Sequence, residues 1–432
     1  MVHYEKFTLD NGLRVVVHPD PTIPVAVLNL LYDVGSRDET EDKTGFAHLF
    51  EHLMFGGSAN IESFDEPLQT VGGENNAFTS PDITNYYITL PSDNLETAFW
   101  LESDRMLSLS FEPNVLEVQR RVVIEEFNER YLNQPYGDVW LKLRPLAYRV
   151  HPYRWPTIGR EISHIEEAVM DDVRTFFYKY YRPNNAILVL GGNVTTAGVK
   201  ALAEKWFGEI PAGEVPPRNL PEEPAQTEKR ILHTSAAVPL NAVYKVWHCG
   251  SRYDSDYYAT ELLADLLGSG KSSRMYQALV KERPVFSNIQ CHMVSGLSKG
   301  LMLVEGKLND GFSPEEGEKA IDEVIAKLLS EGPDEQEFQK VQNTAESTLE
   351  FSEVELLNRC MNLAWYTLMG DTELVNRESE LIRAVTPADI LASAKQIFRE
   401  ENSSVLYYHK QEGVLNADAE GENEEESETE EA

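Results

Sequence analysis

A chain of 432 residues is too long for one ordinary core and suits two domains of about 200 residues each. Its 42% hydrophobic and 10% aromatic content is that of a globular protein, and no run approaches the roughly 18 apolar residues of a membrane span. A net charge of −34 argues against nucleic acid as a ligand and gives a field that favours basic peptides.

Three widely spaced cysteines, Cys249, Cys291 and Cys360, form neither a disulfide scaffold nor a cysteine metal site. They fit a reducing cytoplasm, as does an N-terminus without a basic stretch leading into an apolar one. Residues 412–432 hold ten acids and no bases, have little to bury, and are predicted to form a disordered acidic tail.

In chain order, "FTLDNGLRVVV" reads as a hairpin with Asn11-Gly12 as a type I′ turn. "VAVLNLLYDVG" is nearly all apolar and is expected as a central strand. "TGFAHLFEHLMF" has the spacing of a helix, with Thr44 as its N-cap and Gly56-Gly57 to end it. "NAFTSPDITNYYITL" is two β-rich runs around a Ser-Pro-Asp turn, and helices are expected over 94–107 and 112–132. Further on, "VMDDVRTFFYKYYRPNNAILVLGGNV" is a helix delivering a strand.

"PAGEVPPRNLPEEPAQ" reads as a linker, after which the order of elements repeats and closes on "TPADILASAKQIFREENSSVLYYH". The expected fold is therefore α+β, with two homologous domains, each a mostly antiparallel sheet with helices packed on one face. Boundaries fall at 1–212 for the first domain, 213–226 for the linker and 227–411 for the second.

His48, Glu51 and His52 stand on the helix of the first half, where the second half has Glu261 and Asp265 and no histidine. Residues i and i+4 share a helix face, so two imidazoles can aim at one point with the Glu51 carboxylate offset beside them. This is ligand geometry for tetrahedral zinc with an acid available as a base, in the order His-x-x-Glu-His. A zinc site that keeps one position open needs a third protein ligand. Helix 112–132 offers Glu126, on a predicted inward row with Val115, Gln119 and Val122 that Leu116 and Val123 widen. Glu129, one turn on, is the rival ligand, and a buried ion pair with an arginine such as Arg105 is the rival role.

"HLFEH", "GGENNAFTS…TNYYITLP" and "QRRVVIEE", in that order, resemble the zinc-bearing half of the pitrilysin/insulinase metallopeptidases. The shorter type, which includes the mitochondrial processing peptidase β subunit and many bacterial peptidases, is the nearest in pattern. The resemblance runs through both halves and implies a zinc endopeptidase of unfolded peptides, with one Zn2+ per chain held by His48, His52 and Glu126. It implies Glu51 as the general base, and it favours Glu126 over Glu129 because Val122-Val123-Ile124-Glu125-Glu126 matches the family's ligand pattern. It also places the edge strand Asn76-Ala77-Phe78-Thr79 beside the metal to hold substrate by strand addition. Gln119 replaces a second acid common in the family.

The family's second half supplies an arginine and, seven residues on, a tyrosine that hold the substrate. Here those positions fall near Val280 or Lys281 and at Phe286, which has no hydroxyl to donate. Arg274, Tyr276 and Arg283 are weaker substitutes, so the resemblance implies a second homologous subunit bringing the pair, a distinct chain or another copy. "GSGKSS" lacks the first glycine of a phosphate loop and follows a helix rather than a strand, which excludes nucleotide binding there. His151 is expected to be structural. A non-catalytic assembly subunit and an acidic peptide-binding module are the competing readings.

Overall fold

The computed structural model describes residues 1–215 and 217–411. The acidic tail expected at 412–432 lies outside the described residues. Shorter helical turns aside, the first half runs β1 (Glu5–Thr8), β2 (Arg14–Pro19), β3 (Val25–Tyr32), α1 (Phe46–Leu53), β4 (Glu74–Thr79) and β5 (Thr84–Pro91). It continues α2 (Leu95–Leu107), α3 (Pro113–Phe127), α4 (Val139–Ala147), α5 (Met170–Tyr180), β6 (Ala186–Gly192) and α6 (Thr196–Phe207). The second half begins β7 (Arg230–Ala236), β8 (Ala242–His248), α7 (Tyr257–Gly268), β9 (Phe286–Val294) and β10 (Leu301–Leu308). It ends α8 (Pro314–Glu331), α9 (Glu335–Ser352), α10 (Leu356–Met369), α11 (Leu374–Ala384), α12 (Pro387–Ile397) and β11 (Ser403–Lys410).

The strands form a six-stranded sheet, β1-β2-β6-β3-β5-β4, and a five-stranded one, β7-β11-β8-β10-β9. Both are antiparallel except for one parallel pair, β2 with β6 in the first and β11 with β7 in the second. Without β1 the two orders coincide strand for strand, so the duplication read from the sequence is present in the fold, which is α+β. Strand β3, the apolar run, lies between β6 and β5 as its composition requires. The first hairpin forms, but its turn is not type I′, since Gly12 has φ of +87° and Asn11 keeps negative φ. The Asn11 side chain instead donates to the carbonyls of Phe207 and Ile210, which fixes the turn to the end of α6.

Contacts divide the chain into two compact units that cross the line drawn at 213–226. Among the described residues, one comprises 1–128, 150–222 and 343–384; the other comprises 129–149, 223–342 and 385–411. In the first unit, α10 packs across β3 and β6 although it belongs to the second half of the sequence. In the second, α4 from the first half packs against β7, β8 and β11, and Arg230 donates to the carbonyls of Leu146 and Ala147 at its end.

This exchange explains why the first sheet is apolar on both faces. Leu28, Leu30, Tyr86, Ile88, Leu188 and Leu190 fill one face. Val16, Val27, Leu31, Ile187 and Val189 fill the other, where Leu356, Cys360, Leu363 and Ala364 of α10 close over them. Asn29 and Asn85, fully buried, satisfy each other through reciprocal amide bonds of 3.0 and 2.8 Å. The packing under α10 is close enough to need glycine: a Cβ on Gly191 would lie 2.3 Å from Cys360 Sγ.

The substitution Gly191→Ala is therefore expected to destabilise the protein by about 1–3 kcal/mol, the usual cost of overpacking a core. Adding Cys360→Ala should recover part of that loss in chemical denaturation. An unchanged midpoint for Gly191→Ala contradicts the seating of α10 on this sheet.

Candidate active site

The residues ahead of α1 hold its amino end. Glu39, buried at 8% exposure, accepts the N–H of Gly45 at 3.0 Å and of Ala47 at 2.8 Å. A helix leaves these first amides without internal partners, and its dipole favours a negative charge there. Burial opposes the charge more strongly than the two amides support it, and it pushes the Glu39 carboxyl up to about 8. Thr44 is not the N-cap: its hydroxyl pairs with His164 Nδ1 at 2.8 Å and accepts the Arg160 N–H. Gly45 takes the cap position at φ of +89°, where a Cβ would lie 2.6 Å from the Ile158 carbonyl oxygen.

Helix α1 spends Phe46, Ala47, Leu49, Phe50 and Leu53 on the core. His48, Glu51 and His52 share the half-buried flank that remains. The two Nε2 atoms are 3.3 Å apart, with the rings edge to face at 87°. Glu126 reaches them from α3, its Oε2 lying 3.5 Å from His48 Nε2 and 3.3 Å from His52 Nε2. Zinc–ligand distances of about 2.0–2.1 Å give a tetrahedron edges of about 3.3–3.4 Å, so this triangle of donors fits that ion.

Helix α3 is set by Leu116, Val123 and Phe127, which are buried. Val122, expected on the inward row, is 43% exposed. The apolar row runs one residue round the helix from the predicted one, with Glu126 at its half-buried margin and only its carboxylate at the site. The close approach of α3 also uses Gly56, where a Cβ would lie 2.3 Å from Val115 Cγ1. Glu125 and Glu129 are exposed. The α-helix stops at Phe127 rather than running to 132, and Glu129 falls in a π-helical turn, Asn128–Leu132. Arg105 is not the partner of Glu126: it grips Glu102 through two bonds of 2.7 and 2.5 Å and lies 4.2 Å over the Tyr86 ring.

Glu51 Oε2 accepts the Thr79 hydroxyl at 2.6 Å. Thr79 ends β4, the edge strand of the first sheet, which pairs with β5 alone. Along that edge Asn76 and Phe78 are exposed and Ala77 and Thr79 half-buried, with Phe78 at 40%. Gln119 is half-buried two turns before Glu126. His151 accepts the Tyr153 N–H through Nδ1 and caps the turn Pro152–Arg154.

In the second unit, Phe286 is fully buried, its ring filling the space beside Gly306 and Gly317. Arg274 is held by Glu337 and by the Gly332 carbonyl, and Arg283 pairs with Glu323 at 2.9 Å. Residues 268–273 close the end of α7 as a turn in which Ser273 donates to the Gly270 carbonyl. Sequence reasoning missed Glu39, whose only signal was an acid shortly before a glycine that opens a helix.

Residues 14–159 match the family described as insulinase (peptidase family M16), and residues 168–345 match the peptidase M16 inactive domain. The zinc protease PqqE of Helicobacter pylori is 29% identical over 94% of this chain and 92% of its own length. The uncharacterized zinc protease YmxG of Bacillus subtilis is 26% identical over 93% of this chain and 97% of its own. The crystal structure of a protease from Helicobacter pylori superposes with a TM-score of 0.89 at 28% identity, covering 95% of this chain and all of that one. The M16 inactive-domain structure from Pseudomonas fluorescens, at 16% identity, shares the fold with a TM-score of 0.85 over 94% of this chain and 98% of its own.

The Glu39 carboxyl titrates higher in the folded chain than in the unfolded one, so its contribution to stability is greatest in acid and is lost as pH rises toward about 8. Glutamine has no such titration and offers one acceptor oxygen to two amides. Glu39→Gln should therefore be less stable than the parent by about 1–3 kcal/mol near about pH 5, and the gap should narrow by about pH 8. Thermal unfolding of both proteins across that range checks it, and a gap that widens with pH contradicts the buried cap.

Proposed function

Because the chain belongs to the insulinase family of peptidases, family M16, we propose that it is a zinc-dependent endopeptidase acting on unfolded peptides. The observation that carries this reading is the meeting of His48, His52 and Glu126 at tetrahedral spacing beside Glu51. His48 and His52 through Nε2, and Glu126 through a carboxylate oxygen, would hold one zinc ion per chain. Such an ion supplies Lewis acidity, polarising a peptide carbonyl and bringing the pKa of water toward neutrality. Glu51 takes the proton of the attacking water and returns it to the leaving amine. Thr79, donating to Glu51 Oε2, fixes the direction of that carboxylate.

Substrate adds to the free edge of β4, its backbone pairing along Asn76, Ala77, Phe78 and Thr79, a mode that reads main chain rather than sequence. The acidic charge favours basic peptides among those that fit. Phe286 packs in a core and the nearby arginines engage carboxylates, so this reading gives the arginine–tyrosine pair to a second homologous subunit. Another copy of the chain repeats Phe286, which favours a distinct partner. No helix among the described residues is long and apolar enough to cross a membrane. The three cysteines are free and buried, which supports a reducing compartment, and we place the protein in the cytoplasm.

A second reading, a non-catalytic subunit of the same family, is favoured by Phe286 alone. The two separate on one variant. Glu51→Gln should keep its zinc while cleavage of an unfolded peptide falls at least about 100-fold, the scale of a lost general base. Cleavage at the parental rate overturns the mechanism, and a parent that binds zinc yet cleaves nothing with its co-purified partner supports the second reading.

A further inference from the structure

The second unit brings together another set of metal-ligating side chains, from three separate elements. His233 lies on β7 and His409 on β11, and their parallel register sets His233 opposite Tyr407, two residues before His409. Both imidazoles therefore stand on the face where α8 packs, and α8 places Glu315 in its first turn. His233 Nδ1 is 3.1 Å from His409 Nε2 and 4.0 Å from Glu315 Oε1. One donor atom from each residue lies within 4.8 Å of the other two.

We propose that His233, Glu315 and His409 form a second divalent-metal site, distinct in residues and in unit from the one beside Glu51. Two imidazole nitrogens and a single carboxylate are a borderline donor set that selects copper, nickel or zinc over magnesium or calcium. The separation of the two nitrogens is that of adjacent positions in one coordination shell, and the longer reach to Glu315 suits a site whose other positions are water. His233 and Glu315 are 56% and 52% exposed, so a cation enters and leaves directly from solvent, and binding is weaker than at a half-buried site.

The position gives the ion mechanical work. Among the described residues, strand β7 is an edge strand held by β11 alone. A cation here ties that edge to its neighbour and to the first turn of α8, so metal binding should stabilise the second unit by mass action. Nearby charges leave the site to these residues: Glu318, one turn along α8, is engaged by Lys229, Lys245 and the Tyr407 hydroxyl.

The test is a copper and zinc titration of the full chain after chelator treatment, beside the exposed-surface variant His233→Ala/His409→Ala. The parent should take up two equivalents of zinc, the second weaker, and the variant only one, with peptidase activity unchanged. Copper bound in a His48→Ala/His52→Ala protein should show coupling to two imidazole nitrogens in electron paramagnetic resonance. Equal uptake by parent and surface variant, or copper in that protein without imidazole coupling, overturns the proposal. Loss of the tight equivalent from the parent counts instead against the zinc peptidase reading, so the two failures are distinguishable.

Discussion

Two imidazoles one helical turn apart and a carboxylate from a helix about 70 residues away reach a common point, and the first unit is organised around that meeting. Helix α1 is only eight residues long, below the length at which a helix is stable alone, so its position is imposed from outside. Glu39 holds its amino end from within the core, and five of its residues are committed to packing. Helix α3 is fixed by an apolar row ending at Phe127, one residue past Glu126. The triangle of donor atoms thus rests on two helices rather than on loops, the kind of support that suits a metal site.

Duplication supplied the scaffold twice and the cluster of His48, Glu51 and His52 once. Helix α7 follows β8 as α1 follows β3, and these two strands hold matching places in the two sheet orders once β1 is set aside. On its half-buried flank stand Glu261 and Asp265. Burial raises the Asp265 carboxyl above its ordinary range. The exchange of α4 and α10 between the two halves of the sequence means that neither half encloses its own core. Gly191 marks the point where this dependence is tightest.

Much of this was legible in the sequence because it is local. The spacing of His48, Glu51 and His52 shows at 3.6 residues per turn, and the repeated order of strands and helices shows as a second copy of the same layout. The approach of Glu126 to the two histidines was expected from helix periodicity and the family pattern together, although the inward row was assigned one residue away, because Val122 and Val123 are equally apolar and only packing chooses between them. Long-range choices were not legible. Nothing local separates Thr44 from Gly45 as a cap, since Thr44 is claimed by His164, 120 residues on. The swap of α4 and α10, and the convergence of His233, Glu315 and His409, depend on contacts between segments that carry no mutual signal in a single sequence.

The proposed chemistry requires one cation shared by side chains from α1 and α3. Anomalous diffraction at the zinc edge, from crystals of zinc-loaded protein, tests it most directly. A peak should lie about 2.0–2.2 Å from His48 Nε2, His52 Nε2 and a Glu126 carboxylate oxygen together. Zinc bound elsewhere with no peak at that point, or a peak there that Glu126 does not touch, would contradict it.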